Sequence, residues 1–166
     1  PASIRFVLLL LLTAAMSLTA SFASAAEQDE QKAILVTGAT SGIGLFIAER
    51  LAGEGYYIYA GARKQQDIDR LNAMDNIEAI RLDVTVQDDI DAAVAHVRKS
   101  GRGLWGLINN AGVFIGGPVT DVSTEETAWL FDVNVFGVYR VTQAFAPLII
   151  ESQGRVSSIG SISGIG

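Results

Sequence analysis

The run Thr37-Gly38-Ala39-Thr40-Ser41-Gly42-Ile43-Gly44 constrains this chain more than any other segment. It directly follows an apolar, strand-like stretch at residues 33–36 and opens into an amphipathic stretch at residues 45–51. A strand, a glycine-rich turn and a helix start in that order form an anion site. The first turn of a helix carries N–H donors without intrahelical partners and the positive end of the helix dipole, so it attracts a pyrophosphate. The glycines let the backbone turn tightly and let a ligand approach closely. The feature points to dinucleotide chemistry, although glycines at a strand–helix turn also serve purely as turn residues.

The 166 residues carry a formal net charge of −6 and contain no cysteine. An acidic balance argues against a nucleic-acid-binding surface. The lack of cysteine excludes disulfides, thiolate nucleophiles and cysteine-ligated zinc. No cluster of His, Asp and Glu has metal-ligand spacing, so no metal site is expected. His96, the single histidine, sits in an amphipathic stretch among Ala, Val and Arg and reads as structural.

The N-terminus has its own logic. Arg5 precedes seven consecutive apolar residues at 6–12, and the segment ends Ala23-Ser24-Ala25-Ala26 before the polar 27–32. One basic residue, an apolar core and a small-residue cleavage site read as a secretory signal peptide over residues 1–26, which implies export, to the periplasm in a bacterium. The rival is an uncleaved membrane anchor over residues 4–26, since such a length just spans about 30 Å of hydrocarbon. Residues 27–32 form a polar linker, and residues 33–166 form the remaining domain.

Strand and helix signals alternate through that domain. Strands are expected at 33–37, 56–61, 77–82, 104–109 and 155–159. Helices are expected after the glycine turn to Ala52, over 67–74, from a Thr85 cap to Lys99, and from a Ser123/Glu126 capping box through Ile150. Alternation of this kind implies right-handed crossovers and a parallel sheet covered on both faces, an α/β doubly wound fold. The last helix is apolar nearly all round, with Trp129, Phe131, Val135, Phe136 and Val141 on different faces. Its outer face needs either a further covering element or a subunit interface, so a homodimer or homotetramer through residues 124–150 is expected.

Chemistry-bearing groups fall at the strand exits. Arg63 follows the second strand, where dinucleotide folds meet the adenosine ribose. An Arg there accommodates a 2′-phosphate, and the strand end Tyr59-Ala60-Gly61-Ala62-Arg63-Lys64 holds no carboxylate. Asp83-Val84 follows the third strand and suits the adenine edge. Asn109-Asn110-Ala111-Gly112 follows the fourth, and paired Asn side chains there can bond neighbouring strand ends. Asn134 lies among apolar helix residues, where a buried amide must be satisfied. Ser157, Ser158, Ser161 and Ser163 cluster at the fifth exit.

Taken together, Thr37-Gly38-x-x-x-Gly42-x-Gly44, Asn109-Asn110-Ala111-Gly112, Asn134 and the Ser161 strand exit resemble the short-chain dehydrogenase/reductase family. The stretch 103–112 is similar to the branch with retinol, hydroxysteroid and 3-hydroxybutyrate dehydrogenases. The resemblance implies a Rossmann fold, here truncated after the fifth strand. It also implies hydride transfer between NADP(H), in preference to NAD(H), and a small alcohol or ketone, lipophilic ones included. It assigns Thr37, Gly38, Ser41, Gly42, Ile43, Gly44, Arg63, Asp83, Val84, Asn110, Ala111 and Gly112 to the cofactor, with Asn110 and Asp83 on the adenosine side. It further implies that Asn134 orders a water in a proton relay and that Ser161 orients the substrate oxygen. The family's Tyr-x-x-x-Lys acid/base motif does not occur: Tyr56, Tyr57, Tyr59 and Tyr139 each lack a Lys four residues on. The motif is expected beyond Gly166, with the present chain a fragment of a longer protein. The alternatives are a non-catalytic NAD(P)-sensing module on the same fold, or an interaction scaffold anchored at a membrane.

Overall fold

A computed structural model describes residues 31–161; the expected signal peptide or anchor within residues 1–26, residues 27–30 of the expected linker, and Ser163 lie outside these. Five parallel strands form one sheet in the order β3-β2-β1-β4-β5. They are β1 Ala33–Val36, β2 Tyr57–Ala62, β3 Ile77–Arg81, β4 Gly106–Asn109 and β5 Arg155–Ser158. The connecting helices are α1 Gly42–Gly53, α2 Gln65–Leu71, α3 Gln87–Ser100, α4 Thr124–Phe131 and α5 Val138–Glu151. The chain adds β2 and β3 on one side of β1, then crosses to place β4 on the other. The reversal leaves a crevice between the β1 and β4 exits, where ligands bind in open sheets of this kind.

Side-chain alternation along the strands builds two cores, one per face. Leu35, Tyr59 and Leu107 point to the face covered by α3 and α5, meeting Ile90, Val97, Val141 and Phe145. Ile34, Val36, Ile58 and Ala60 point to the other face, against Ala48 and Ala52 of α1 and Leu71 of α2. β1 is buried at all four positions, as a central strand must be, whereas all four residues of β5 are exposed. At the strand starts Trp105 stacks on Tyr56, with Lys32 and Arg155 lying over its ring at 4.9 and 5.0 Å.

Several boundaries shift for physical reasons. α2 begins two residues earlier than its apolar spacing suggests and closes at Leu71, because the Asn72 side chain turns to accept the Ala79 N–H at 2.7 Å. The Leu104 N–H goes to Ser152 Oγ at 3.0 Å, so β4 starts two residues late. Thr85 does not cap α3, which follows Val86 without a side-chain cap. Its N–H and hydroxyl both donate to Asp83 Oδ1, at 2.9 and 2.7 Å, and a hydroxyl so engaged is not left to cap a helix.

The Ser123/Glu126 capping box forms in both directions, and its two donors hold the Glu126 carboxyl below its ordinary range. Beyond α4, however, the helix is not regular α throughout. Asp132–Gly137 is a π-helical turn, a feature frequent at functional sites. Gly137 lies against Val84, and the Asp132 carboxylate bonds Arg140 two turns on. Val141, Phe145, Leu148 and Ile149 are buried, while Trp129, Phe131, Val135, Phe136, Tyr139 and Ile150 stay exposed among the described residues.

A Cβ at Gly137 would sit 2.7 Å from Val84 Cγ2 and 3.0 Å from Val84 Cβ. Gly137→Ala is therefore expected to destabilise the chain by about 1–3 kcal/mol, the usual range for overpacking. Gly53→Ala, where nothing lies within 4 Å, is the control and should be neutral or mildly stabilising. Urea unfolding of both variants measures the difference, and equal stability would show that the π turn yields without cost.

Candidate functional site

The glycine loop between β1 and α1 is held from behind by its neighbours. Asn110 Nδ2 donates to the carbonyls of Thr37 and Gly38, at 3.0 and 3.1 Å. The Ala39 N–H donates to Gly61 O at 3.1 Å, tying the loop to β2. Arg70 of α2 donates to Thr40 O at 2.6 Å. Three loop carbonyls are thus turned toward the protein. Gly38 and Gly42 adopt positive φ, +64° and +55°, which this path requires.

The path ends at an α1 N-terminus without side-chain compensation. Ser41 makes no capping hydrogen bond, and the first turn holds no acidic residue. Such an end retains its preference for an anion. Close approach explains Gly44: a Cβ there would lie 2.3 Å from Asn110 Nδ2 and 2.4 Å from Gly38 O. At Gly42 nothing lies within 4 Å of the added carbon, so that side of the loop is open.

In front of the loop is an open cavity of about 450 Å³. Gly38, Ser41, Ile43, Gly44, Arg63, Asp83, Val84, Asn110, Ala111 and Gly112 all line it. Sequence reasoning placed all ten at the cofactor, and the strand exits bring them together. Thr37 and Gly42 do not line the cavity. Thr37 is 1% exposed, and its Oγ1 accepts the N–H groups of Asn110 and Ala111, each at 3.0 Å. It works as a rivet between the β1 and β4 exits. Asn110 touches the cavity, but its donor group is bound to the loop. Asn109 is buried and donates to Thr142 Oγ1 at 3.0 Å, fixing β4 to α5.

Asn134 sits in the π turn and is likewise engaged. Its Oδ1 accepts the Val113 N–H and its Nδ2 donates to the Val113 carbonyl, both at 2.8 Å. This two-way bond holds the β4 exit, and Val113 and Val133 line the cavity in its place. One N–H and one lone pair of the amide are left over for other partners. Ser161 lies exposed three residues beyond β5, off the cavity wall.

The strand end around Arg63 reads as free of carboxylates, but the fold brings two of them to its side of the cavity. Arg63 Nη1 is 3.6 Å from Asp83 Oδ2, and Asp67 lines the wall beside Arg63 and Lys64. Partial burial pushes the Asp83 carboxyl up, but the Thr85 N–H and hydroxyl and the Arg63 guanidinium outweigh it, and the net direction is down. Arg81 anchors the rim by donating to Arg63 O at 3.0 Å. Asp67, Arg70 and Arg81 were missed in the sequence because they belong to α2 and β3 rather than to a motif. The available signal was spacing: Asp67 and Arg70 lie four and seven residues after Arg63, one and two helical turns on.

At the opposite end of the strands, Tyr57 donates to Glu78 at 2.7 Å, and Glu78 also meets His96 Nε2 at 2.6 Å. Burial first, then this bond, pushes the Tyr57 hydroxyl up to about 12. That rules against Tyr57 as a base near neutral pH. His96 holds α3 to β3, in line with its structural reading.

Comparison with known proteins settles the family. The family model described as short chain dehydrogenase matches residues 32–166. The chain belongs to the short-chain dehydrogenase family.

It is 35% identical over 154 residues to a mitochondrial D-beta-hydroxybutyrate dehydrogenase of Bos taurus, covering 87% of this chain and 45% of that protein. A short-chain dehydrogenase structure from Streptomyces avermitilis superposes with a TM-score of 0.76 at 37% identity, covering 82% of this chain and 52% of that one. An actinorhodin polyketide ketoreductase variant with NADPH gives 0.76 at 32%, covering 82% and 56%. The chain thus spans about half the length of the relatives it matches. By their names these relatives are dehydrogenases and a ketoreductase, the last solved with NADPH.

The Asp83 shift has a consequence for stability. Its folded-state value lies below the unfolded one, which is about 3.9. Its contribution is therefore complete above about pH 4 and lost as pH falls through the folded value. Asp83→Asn keeps an oxygen for Thr85 but removes the titration. The urea midpoint of the native chain should drop more between pH 6 and pH 3 than that of the variant, and identical drops would remove Asp83 from the account.

Proposed function

We propose that this chain is the cofactor-binding half of an NADP(H)-dependent oxidoreductase acting on an alcohol or ketone. The observation that carries the reading is the uncapped α1 N-terminus, its loop carbonyls tied back by Asn110 and Arg70, facing a cavity rimmed by Arg63 and Lys64. The bound cofactor supplies hydride chemistry, and the protein supplies binding, orientation and electrostatics. The loop N–H groups receive the pyrophosphate. Arg63 meets the 2′-phosphate, exchanging its long contact with Asp83 for a doubly charged partner. Asp83 and Val84 border the adenine. Asn134 holds the β4 exit and has an amide N–H left to order a water. Ser161 orients the substrate oxygen, and the acid/base pair Tyr-x-x-x-Lys lies in the part of the protein beyond this chain.

Cofactor titration of the chain tests the reading without requiring turnover. NADP(H) should bind more tightly than NAD(H). Arg63→Ala should weaken NADP(H) by about tenfold, as for loss of a hydrogen bond to a charged group, with a smaller change for NAD(H). Equal losses would show that Arg63 does not read the phosphate, and absence of any binding would overturn the proposal.

The outward face of the 124–151 helix supports a second element of the reading, a homo-oligomer. Trp129, Phe131, Phe136 and Tyr139 are each about half exposed or more, an aromatic density that single exposed side chains do not reach. Phe136→Glu should shift the chain toward monomer in light scattering behind size exclusion. A wild-type monomer at tens of micromolar would refute the interface.

A further inference from the structure

Arg70 appears in no motif and does not line the cavity, yet it touches two of the walls. Its Nη2 donates to Thr40 O at 2.6 Å and lies 3.3 Å from Asp67 Oδ1. Thr40 belongs to the glycine loop, and Asp67 stands on the wall with Arg63 and Lys64. The charges lining the cavity are Arg63, Lys64, Asp67 and Asp83, two of each sign. Asp83 is held by Arg63. Asp67 has Arg70 as its ion-pair partner. With Arg70 counted, the ribose side of the cavity is net positive; without it, the side is neutral and one carboxylate faces a dianionic ligand alone.

We infer that Arg70 is a specificity-determining and positioning residue for the cofactor, masking Asp67 so that a 2′-phosphate is accepted beside Arg63 while bracing the pyrophosphate loop through Thr40. The inference deepens the NADP(H) reading and rests on it. The two roles separate by ligand. Loss of the Thr40 brace affects every cofactor with a pyrophosphate. Loss of the mask affects only a cofactor with a 2′-phosphate, since only that group is repelled by an unpaired Asp67. The side chains of Arg70 and Asp67 are 41% and 30% exposed, so the charge effect is moderate and screened by salt.

The experiment is a set of NADP⁺ and NAD⁺ titrations of the full 166-residue chain and its Arg70→Ala, Arg70→Lys, Asp67→Asn and Arg70→Ala/Asp67→Asn variants, with circular dichroism confirming folding. Arg70→Ala should lower affinity for both cofactors and lower the NADP⁺:NAD⁺ affinity ratio about fivefold, a shift of the size expected for a partly exposed charge pair. Arg70→Lys should keep the ratio, because the charge remains. The double variant should restore the ratio while leaving both affinities reduced, and high salt should shrink the ratio change in Arg70→Ala. A ratio that stays constant in Arg70→Ala, or that fails to recover in the double variant, overturns the masking role. A chain that binds neither cofactor overturns the NADP(H) reading itself, and this inference with it.

Discussion

The contact between the Asn110 side chain and the glycine loop is the constraint on which the site depends. β1 and β4 run side by side, and their exits diverge around the crevice left by the topological switch. Asn110 closes the rear of that crevice with two donated bonds, and Thr37 returns two accepted ones. The four bonds link backbone and side chain across segments more than seventy residues apart. They leave no volume for a side chain at Gly44, whose Cβ would fall at 2.3 Å from the Asn110 amide. The glycine is therefore required by the clamp as much as by any ligand. Disposing of the loop carbonyls inward also prepares its other side for an anion before one arrives, which lowers the ordering cost of binding.

Much of this was legible in the sequence because local chemistry and tertiary demand agree. The apolar run at β1, the glycine turn and the α1 pattern each specify one element, and together they specify a crossover. Ser123 and Glu126 form their capping box as read, since both donors and acceptors lie within one turn. The reading faltered where a side chain had a choice of partners. Thr85 suits a cap, but Asp83 two residues earlier offers a nearer carboxylate that takes both its donors. The π turn at 132–137 was invisible because it arises from tertiary contact: Gly137 seats on Val84, and Asn134 reaches across to Val113. The strand end from Tyr59 to Lys64 carries no carboxylate, but the β3 exit and α2 bring Asp83 and Asp67 to the same wall as Arg63.

The π turn and the clamp divide the β4 exit between them. Asn110 and Ala111 belong to the loop side through Thr37, and Val113 belongs to the helix side through Asn134. The four residues from Asn110 to Val113 are thus pinned at both ends, with Gly112 between them, where an added Cβ would lie an ordinary 3.5 Å from Asn134 Oδ1. A segment anchored in this way can border a ligand without following it. Bonding in both directions to one backbone residue also explains how an amide is tolerated beside Val133 and Val135: its stronger demands are met by groups that would otherwise have to be satisfied elsewhere.

Electrostatics complete the division of labour. The chain is acidic overall, with a net charge of −6, so attraction of the proposed polyanionic cofactor would have to be local rather than global. The fixed part is the α1 N-terminus, a set of oriented N–H groups whose pull acts within the first turn. The adjustable part is the quartet Arg63–Asp83 and Arg70–Asp67, in which each cation already has a carboxylate. A prepaid partner costs little in the absence of ligand, because the pairs are partly exposed and weak. On the proposed NADP(H) reading, a doubly charged phosphate would draw Arg63 from its 3.6 Å contact with Asp83, while Arg70 would keep its partner and its grip on Thr40. Discrimination on this reading comes from which carboxylates remain masked after binding, not from how many cations the site holds.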